Sequence, residues 1–345
     1  MIVLQIALVL VALLLLLRAL NLILALRWYN SPRPPGAVVS VQGKRFYYRL
    51  AGTGDPTVII EPALATPSVE WWSIQEELSK TTRVLTYDRA GYGWSDFTPR
   101  ARTSGTIALE LSALLASLGI EGPLILVGHS QGGLYVNHFA RLFPEKVAGA
   151  VFLDPLSPRD NRFKKELAPL IYKNSGVDKS RGLKMYNVLC MTGILRLLKP
   201  LIIKAPPFRY YNNVPSERIK ILWQNLLFPK LYKTALSEYR IAQKDGQVEL
   251  LTAAGQLPPV PVRILYHSPK VMVDEIMEYG GIKRDEAEKV EALWEELVRE
   301  YLTLSPKSEW ITAEGSGHFI HLQSPDLVVR TVLDVIGELR QMTAP

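Results

Sequence analysis

One short segment narrows the possible folds of this chain more than any other. Gly128-His129-Ser130-Gln131-Gly132-Gly133 stands between the apolar run Leu124-Ile-Leu-Val127 and a helical stretch, Leu134–Leu142. A short, continuously apolar run fits a strand buried on both faces, as strands of parallel sheets are. A serine between that strand and a helix needs a sharp turn, with glycines where a Cβ would strike neighbouring backbone. Such a turn lifts the hydroxyl clear of the sheet and aims a helix N-terminus at it. Backbone N–H groups there can stabilise a developing oxyanion. Gly-x-Ser-x-Gly alone is a cheap pattern; its flanking strand and helix make it specific.

The rest of the chain extends the alternation. Val38–Val41 and Arg45–Leu50 flank Gln42-Gly43-Lys44 as a hairpin, and Thr57–Ile60, Arg83–Tyr87 and Val147–Leu153 read as further strands. Thr106–Leu118 reads as a helix. The pattern resumes with strands Val262–Tyr266 and Glu309–Thr312 and closes with a helix over Asp326–Gln341, while Asp285–Leu302 has the spacing of an amphipathic helix packed on the core. These elements predict an α/β fold with a mainly parallel central sheet. Residues 156–259 break the alternation and are too many for a structureless loop. They read as an inserted helical cap, which divides the core into residues 37–155 and 260–345.

Residues 1–27 predict a transmembrane anchor. Ile2 to Leu17 carries one polar side chain, Gln5, and after Arg18 the apolar run continues to Leu26, broken only by Asn21. Those 25 positions are long enough to cross a bilayer with tilt, and Arg18 can snorkel toward headgroups. A secretory signal is the competing reading. No Lys or Arg precedes the run, however, and no small-x-small cleavage site follows it. Arg18, Arg27, Arg33, Lys44 and Arg45 all lie on the carboxyl side, so the positive-inside rule predicts a cytoplasmic catalytic domain. Residues 28–36, with Ser31-Pro-Arg-Pro-Pro-Gly36, predict a stiff spacer.

A serine hydroxyl needs a base. Of the five histidines, His129 occupies the turn's variable position and points away from the hydroxyl, while His138 lies inside the following helix. His267 ends a strand ahead of any acid-bearing loop, and His321 enters the next element as a structural residue. His318 sits in the glycine-rich loop Glu314-Gly-Ser-Gly-His318 after the strand Glu309–Thr312, at the sheet edge that carries Ser130. It is the candidate base.

With these residues in hand, the chain resembles the α/β-hydrolase fold superfamily, in its capped serine-hydrolase, esterase- or lipase-like form. Asp88-Arg-Ala-Gly-Tyr-Gly-Trp-Ser-Asp96 is similar to that family's loop after its fourth strand, and Ser316-Gly-His318 through Gln323-Ser-Pro325 to its histidine loop. The resemblance covers about residues 38–155 and 260–341. It implies an acid between serine and histidine in chain order, at the end of the strand before the cap or after the strand that follows it. Asp154 fills the first position. Asp274 is the alternative for the second, with Glu275 behind it. The resemblance also implies an oxyanion hole from the N–H groups of Gln131 and Leu64, although Ala63 stands where the family usually has glycine.

The implied chemistry is two-step acyl transfer on an ester-like bond by Ser130, His318 and Asp154, with amides and thioesters open. No metal or organic cofactor is implied. The chain has one cysteine, Cys190, which excludes an intramolecular disulfide or a multi-cysteine metal site. Its net charge of +7 is unevenly spread: Pro158–Leu250 holds 18 Lys or Arg against 7 Asp or Glu. Basic residues interleaved with apolar ones suit membrane lipid and a small lipophilic substrate. No recognition motif accompanies them that would imply nucleic acid. The competing class is a catalytically silent protein of the same fold that binds lipid or a partner through its basic cap.

Overall fold

The computed structural model describes residues 1–31, 35–204 and 208–343. Helix α1 (Ile2–Tyr29) leads into the antiparallel hairpin β1 (Ala37–Val41) and β2 (Lys44–Ala51). There follow β3 (Thr57–Glu61), α2 (Trp72–Leu78), β4 (Val84–Tyr87), α3 (Ser104–Ser117), β5 (Leu124–His129), α4 (Gln131–Leu142) and β6 (Val147–Leu153). Among the described residues, seven α-helices intervene before the next strand: α5 (Arg162–Glu166), α6 (Pro169–Asn174), α7 (Lys179–Thr192), α8 (Ile194–Ile202), α9 (Ser216–Leu226), α10 (Pro229–Ala242) and α11 (Gln247–Ala253). The chain ends with β7 (Val262–His267), α12 (Pro269–Gly280), α13 (Arg284–Arg299), β8 (Ser308–Ala313), α14 (Ile320–Gln323) and α15 (Pro325–Thr343).

The eight strands form one sheet in the order β1-β2-β4-β3-β5-β6-β7-β8, antiparallel at β1, β2 and β4 and parallel from β4 onward. Its central strands are apolar on both faces, and the period of two sorts them. Leu124, Leu126, Ala150 and Phe152 pack with α3 and α4. Their neighbours Ile125, Val127, Val151 and Leu153 pack with α2 and α15 on the other side. Covering both faces is what permits near-continuous hydrophobic strands. It also leaves the carboxyl ends of β3, β5, β6 and β8 as the edge where polar loops can gather.

The helix expected over residues 1–27 runs two residues further, so Trp28 and Tyr29 form its last turn instead of opening the spacer. Residues 32–34 of that spacer lie outside the described residues. The helix α2 was hidden in sequence because its seven residues are too few to show a period.

The helices between β6 and β7 are tied to the sheet by buried charge as well as by apolar contact. Arg89, after β4, and Glu238, on α10, are 2% and 0% exposed and lie 3.1 Å apart; Arg89 also meets Glu61 of β3 at 2.6 Å. Arg102 reaches Glu238 at 3.5 Å from the other side. Removing one member of such a cluster strands the others, which costs about 3–5 kcal/mol. Arg89→Met should therefore lower stability to urea by about that amount, whereas Arg45→Ala, which breaks a half-exposed pair with Asp96, should cost under ~1 kcal/mol.

Candidate active site

Ser130 sits between β5 and α4 with φ 52° and ψ −122°, a strained left-handed conformation for a residue with a Cβ. The turn is held from both sides. The Ser130 N–H donates to the Leu153 carbonyl at 2.9 Å, and its own carbonyl accepts from Gly133 and Leu156. A Cβ on Gly128 would lie 2.5 Å from Val136, and one on Gly132 would strike the Glu61 and Pro62 carbonyls. The glycines thus let the elbow press against the end of β3. Gln131 is the first residue of α4, so its N–H has no partner within the helix and points out of the N-terminus.

His318 and Asp154 are brought together. His318 Nδ1 donates to Asp154 Oδ2 at 2.5 Å, and Asp154 stands at the end of β6, fully buried, with φ 42°. Burial disfavours the carboxylate, but His267 and His318 outweigh it and hold the Asp154 pKa well below the usual range. An ionised Asp154 fixes the His318 tautomer with its proton on Nδ1, leaving Nε2 as the acceptor. Ser130, Asp154 and His318 line one cleft, together with Pro155, Phe163, Trp294 and Leu297. Asp160 also lines it, its carboxyl pushed up by burial to about 6.

The other predicted acids lie elsewhere. Asp274 is on the exposed side of α12, paired with Arg284 at 2.8 Å. Glu275 accepts from the Tyr210 hydroxyl and lies beside Gly317, bracing the histidine loop without bonding His318.

Sequence reasoning set His267 aside, yet the structure seats it against Asp154. Its Nδ1 donates to the same Asp154 oxygen at 2.7 Å and its Nε2 to Glu291 at 2.9 Å. Both ring nitrogens donate to carboxylates, which describes an imidazolium. Burial opposes that charge, but Asp154 and Glu291 raise the pKa to about 10. The usable signal was positional: His267 ends β7, one of the two places the fold offers for an acid. His129 and His321 are structural. His129 Nε2 donates to the His318 carbonyl at 2.9 Å, and His321 stacks on Trp71 with centroids 4.4 Å apart. His138, buried on α4, bonds Ser104 at 2.8 Å.

The loop after β3 is organised by Arg89. Its guanidinium donates to the Pro62 carbonyl at 2.6 Å and the Ala63 carbonyl at 2.9 Å, besides Glu61. Thr66 Oγ1 donates to the Ala63 carbonyl as well, at 3.0 Å. The Ala63 carbonyl and the Leu64 N–H belong to one planar trans peptide, so holding the first fixes the direction of the second. Glu61 is one of the buried charges that keep Arg89 in place.

A sequence model of the alpha/beta hydrolase family matches residues 62–331. The chain belongs to that family. A relative from Gibberella zeae described as an AB hydrolase superfamily protein is 24% identical over 301 residues, covering 83% of this hydrolase and 87% of the relative. An uncharacterized Bacillus subtilis protein is 23% identical, covering 85% and 88%. Among solved structures, the hydrolase resembles a thermophilic esterase from Thermogutta terrifontis (19% identity, TM-score 0.58, covering 88% and 98% of the two chains). It also resembles a putative epoxide hydrolase from Pseudomonas aeruginosa (17% identity, TM-score 0.67, covering 90% and 99%). At these identities the likeness establishes the fold.

Three substitutions test the geometry. Asp154→Asn should leave His318 in the wrong tautomer and lower kcat about 10³–10⁴-fold, while Asp274→Asn should change it little. Burial, opposed by Asp154 but joined by the Lys179 and His267 charges, holds the His318 pKa below its ordinary 6.5. A general base is lost as pH falls through its pKa, so the acid limb of kcat/KM should lie below 6.5. His267→Gln removes a nearby positive charge and should move that limb upward.

Proposed function

We propose that the protein is a membrane-anchored serine hydrolase that cleaves an ester-like bond of a small lipophilic substrate through an acyl-enzyme. The observation that carries this reading is the convergence of Ser130, His318 and the buried Asp154 on one cleft. A serine at the elbow favours acyl transfer over the epoxide opening that related folds perform with an aspartate there.

His318 Nε2 takes the Ser130 proton as Oγ attacks the carbonyl carbon, while Asp154 steadies the imidazolium that forms. The carbonyl oxygen becomes an oxyanion, held by the N–H groups of Gln131 and Leu64. Collapse of the tetrahedral intermediate expels the alcohol, which takes the proton back from His318. Water, deprotonated by the same histidine, then releases the acid and restores Ser130. The proposed acid is Asp154, with no part for Asp274 or Glu275.

Membrane attachment rests on α1, 28 residues long and exposed from Met1 to Leu16. Its carboxyl-terminal part is built into the folded body: Trp28 packs on Trp94 at 4.6 Å, and Asn21 is buried. That integration supports an anchor over a leader that is cut away. The basic residues on its carboxyl side favour a cytoplasmic body.

The test is labelling by a serine-directed fluorophosphonate. The wild type should label and Ser130→Ala should not. A folded wild type that fails to label would mean a binding protein on a hydrolase fold, and labelling that survives Ser130→Ala would move the nucleophile elsewhere. The protein should also resist extraction from membranes by alkaline carbonate.

A further inference from the structure

Helix α1 does not leave the body at its carboxyl end; it first runs along α7 and α8. Asn21 Nδ2 donates to the Cys190 carbonyl at 2.7 Å, and Arg196 Nε donates to Asn21 Oδ1 at 2.8 Å. Gly193, the left-handed residue between α7 and α8, approaches so closely that a Cβ there would lie 2.6 Å from the Leu17 carbonyl. Leu17 and Asn21 are one helical turn apart, so this contact fixes α7 and α8 against a defined level of α1.

That level can be read as a depth. A hydrocarbon layer of roughly 30 Å takes about 20 helical residues. Residues 1–16 are exposed along α1, whereas Asn21 is buried against the body, so the near boundary falls close to Asn21, the residue that holds α7. On the outer side of the pair, Met185, Val188 and Met191 of α7 and Leu197 and Leu201 of α8 are 41–66% exposed. Their spacings of three and four residues put them on one face of each helix. The inner side is a separate apolar set, with Leu183, Cys190 and Leu195 buried and Leu64 packed against their cluster. From Lys179 to Lys204 there are six basic residues and no acidic one, and Lys184 and Lys204 are exposed.

We propose that the outer face of the α7–α8 pair lies in the interfacial layer of an anionic bilayer, beside the point where α1 enters it. The apolar side chains sink among the upper acyl chains, as those of interfacial helices do to about 5–10 Å, and the flanking lysines and arginines meet acidic headgroups. The occupant is lipid and not a soluble partner, because α1 brings this face to the boundary and its charge is of one sign. One helix, α7, then separates the bilayer from the loop that carries Leu64. The proposal rests on the anchor reading above.

Depth-dependent quenching of the full chain, reconstituted in phosphatidylcholine vesicles with about 30% phosphatidylglycerol, tests it. An environment-sensitive fluorophore is attached at Val188→Cys, Leu197→Cys, Leu10→Cys or Gln341→Cys, and spin-labelled lipid is the quencher. Native Cys190 is buried, with its thiol pushed up to about 12, and stays unlabelled. Gln341 adjoins Arg340, which bonds the Asp55 and Thr81 carbonyls ahead of β3 and β4, at the sheet edge remote from the serine. Positions 188 and 197 should be quenched at least about half as strongly as position 10, and position 341 hardly at all. Quenching at 188 and 197 should fall about twofold without the anionic lipid, while position 10 stays unchanged. Quenching at position 10 with none at 188 and 197 would overturn the docking face and leave the anchor standing. Absence of quenching at position 10 would overturn both. A probe shift at 188 that tracks protein concentration without lipid quenching would mean a second copy covers the face, and would overturn the proposal as well.

Discussion

A guanidinium cannot shed its charge, so an arginine buried to 2% exposure obliges its surroundings to supply acceptors. Arg89 draws them from three parts of the chain: Glu61 at the end of β3, the Pro62 and Ala63 carbonyls in the next loop, and Glu238 on α10. Each partner alone would be costly to bury, and together they leave little freedom for rearrangement. The loop after β3, the turn after β4 and the inserted helices are thereby registered to one point beneath the serine elbow. Tyr92 strengthens the tie, donating to Glu238 at 2.7 Å.

Asp154 shows a second economy of charge. It serves two histidines through the same oxygen, and they differ in what stands behind them. His267 has Glu291 on its far nitrogen and is a fixed cation, whereas His318 keeps its far nitrogen for the cleft. Two buried carboxylates and one buried imidazolium sum to a single negative charge, the amount that a second imidazolium on His318 would neutralise. The arrangement holds its neutral-histidine state ready without leaving a dianion in a dry environment.

The strands were legible because their apolar runs are short, continuous and bounded by turn residues, and β6 spans Val147–Leu153 as its sequence suggests. Ser130, His318 and Asp154 could be singled out as candidates because each sits where a strand ends, a position that sequence order reveals. Arg89, Glu238 and Glu291 could not be found this way. Each is a charged residue within a polar stretch, and only the packing of elements 149 positions apart, as for Arg89 and Glu238, turns it into a buried partner. His267 was misjudged for a related reason: its meaning depends on Asp154 lying on the adjacent strand, which is a fact about sheet order. The seven-residue helix α2 lacked the length to show a period.

The docking of α1 bears on how the protein can be handled. Trp28 and Tyr29 cover Trp94 and Phe228, and Asn21 caps the ridge around Gly193. A chain shortened to begin after Tyr29, in the hope of a soluble enzyme, would uncover two aromatic rings and leave Arg196 without its Asn21 acceptor. The shortened body would carry a sticky scar next to the already apolar outer side of α7 and α8. Keeping Leu17–Tyr29 and trimming only the exposed residues before them preserves the intramolecular seam while removing most of the greasy length.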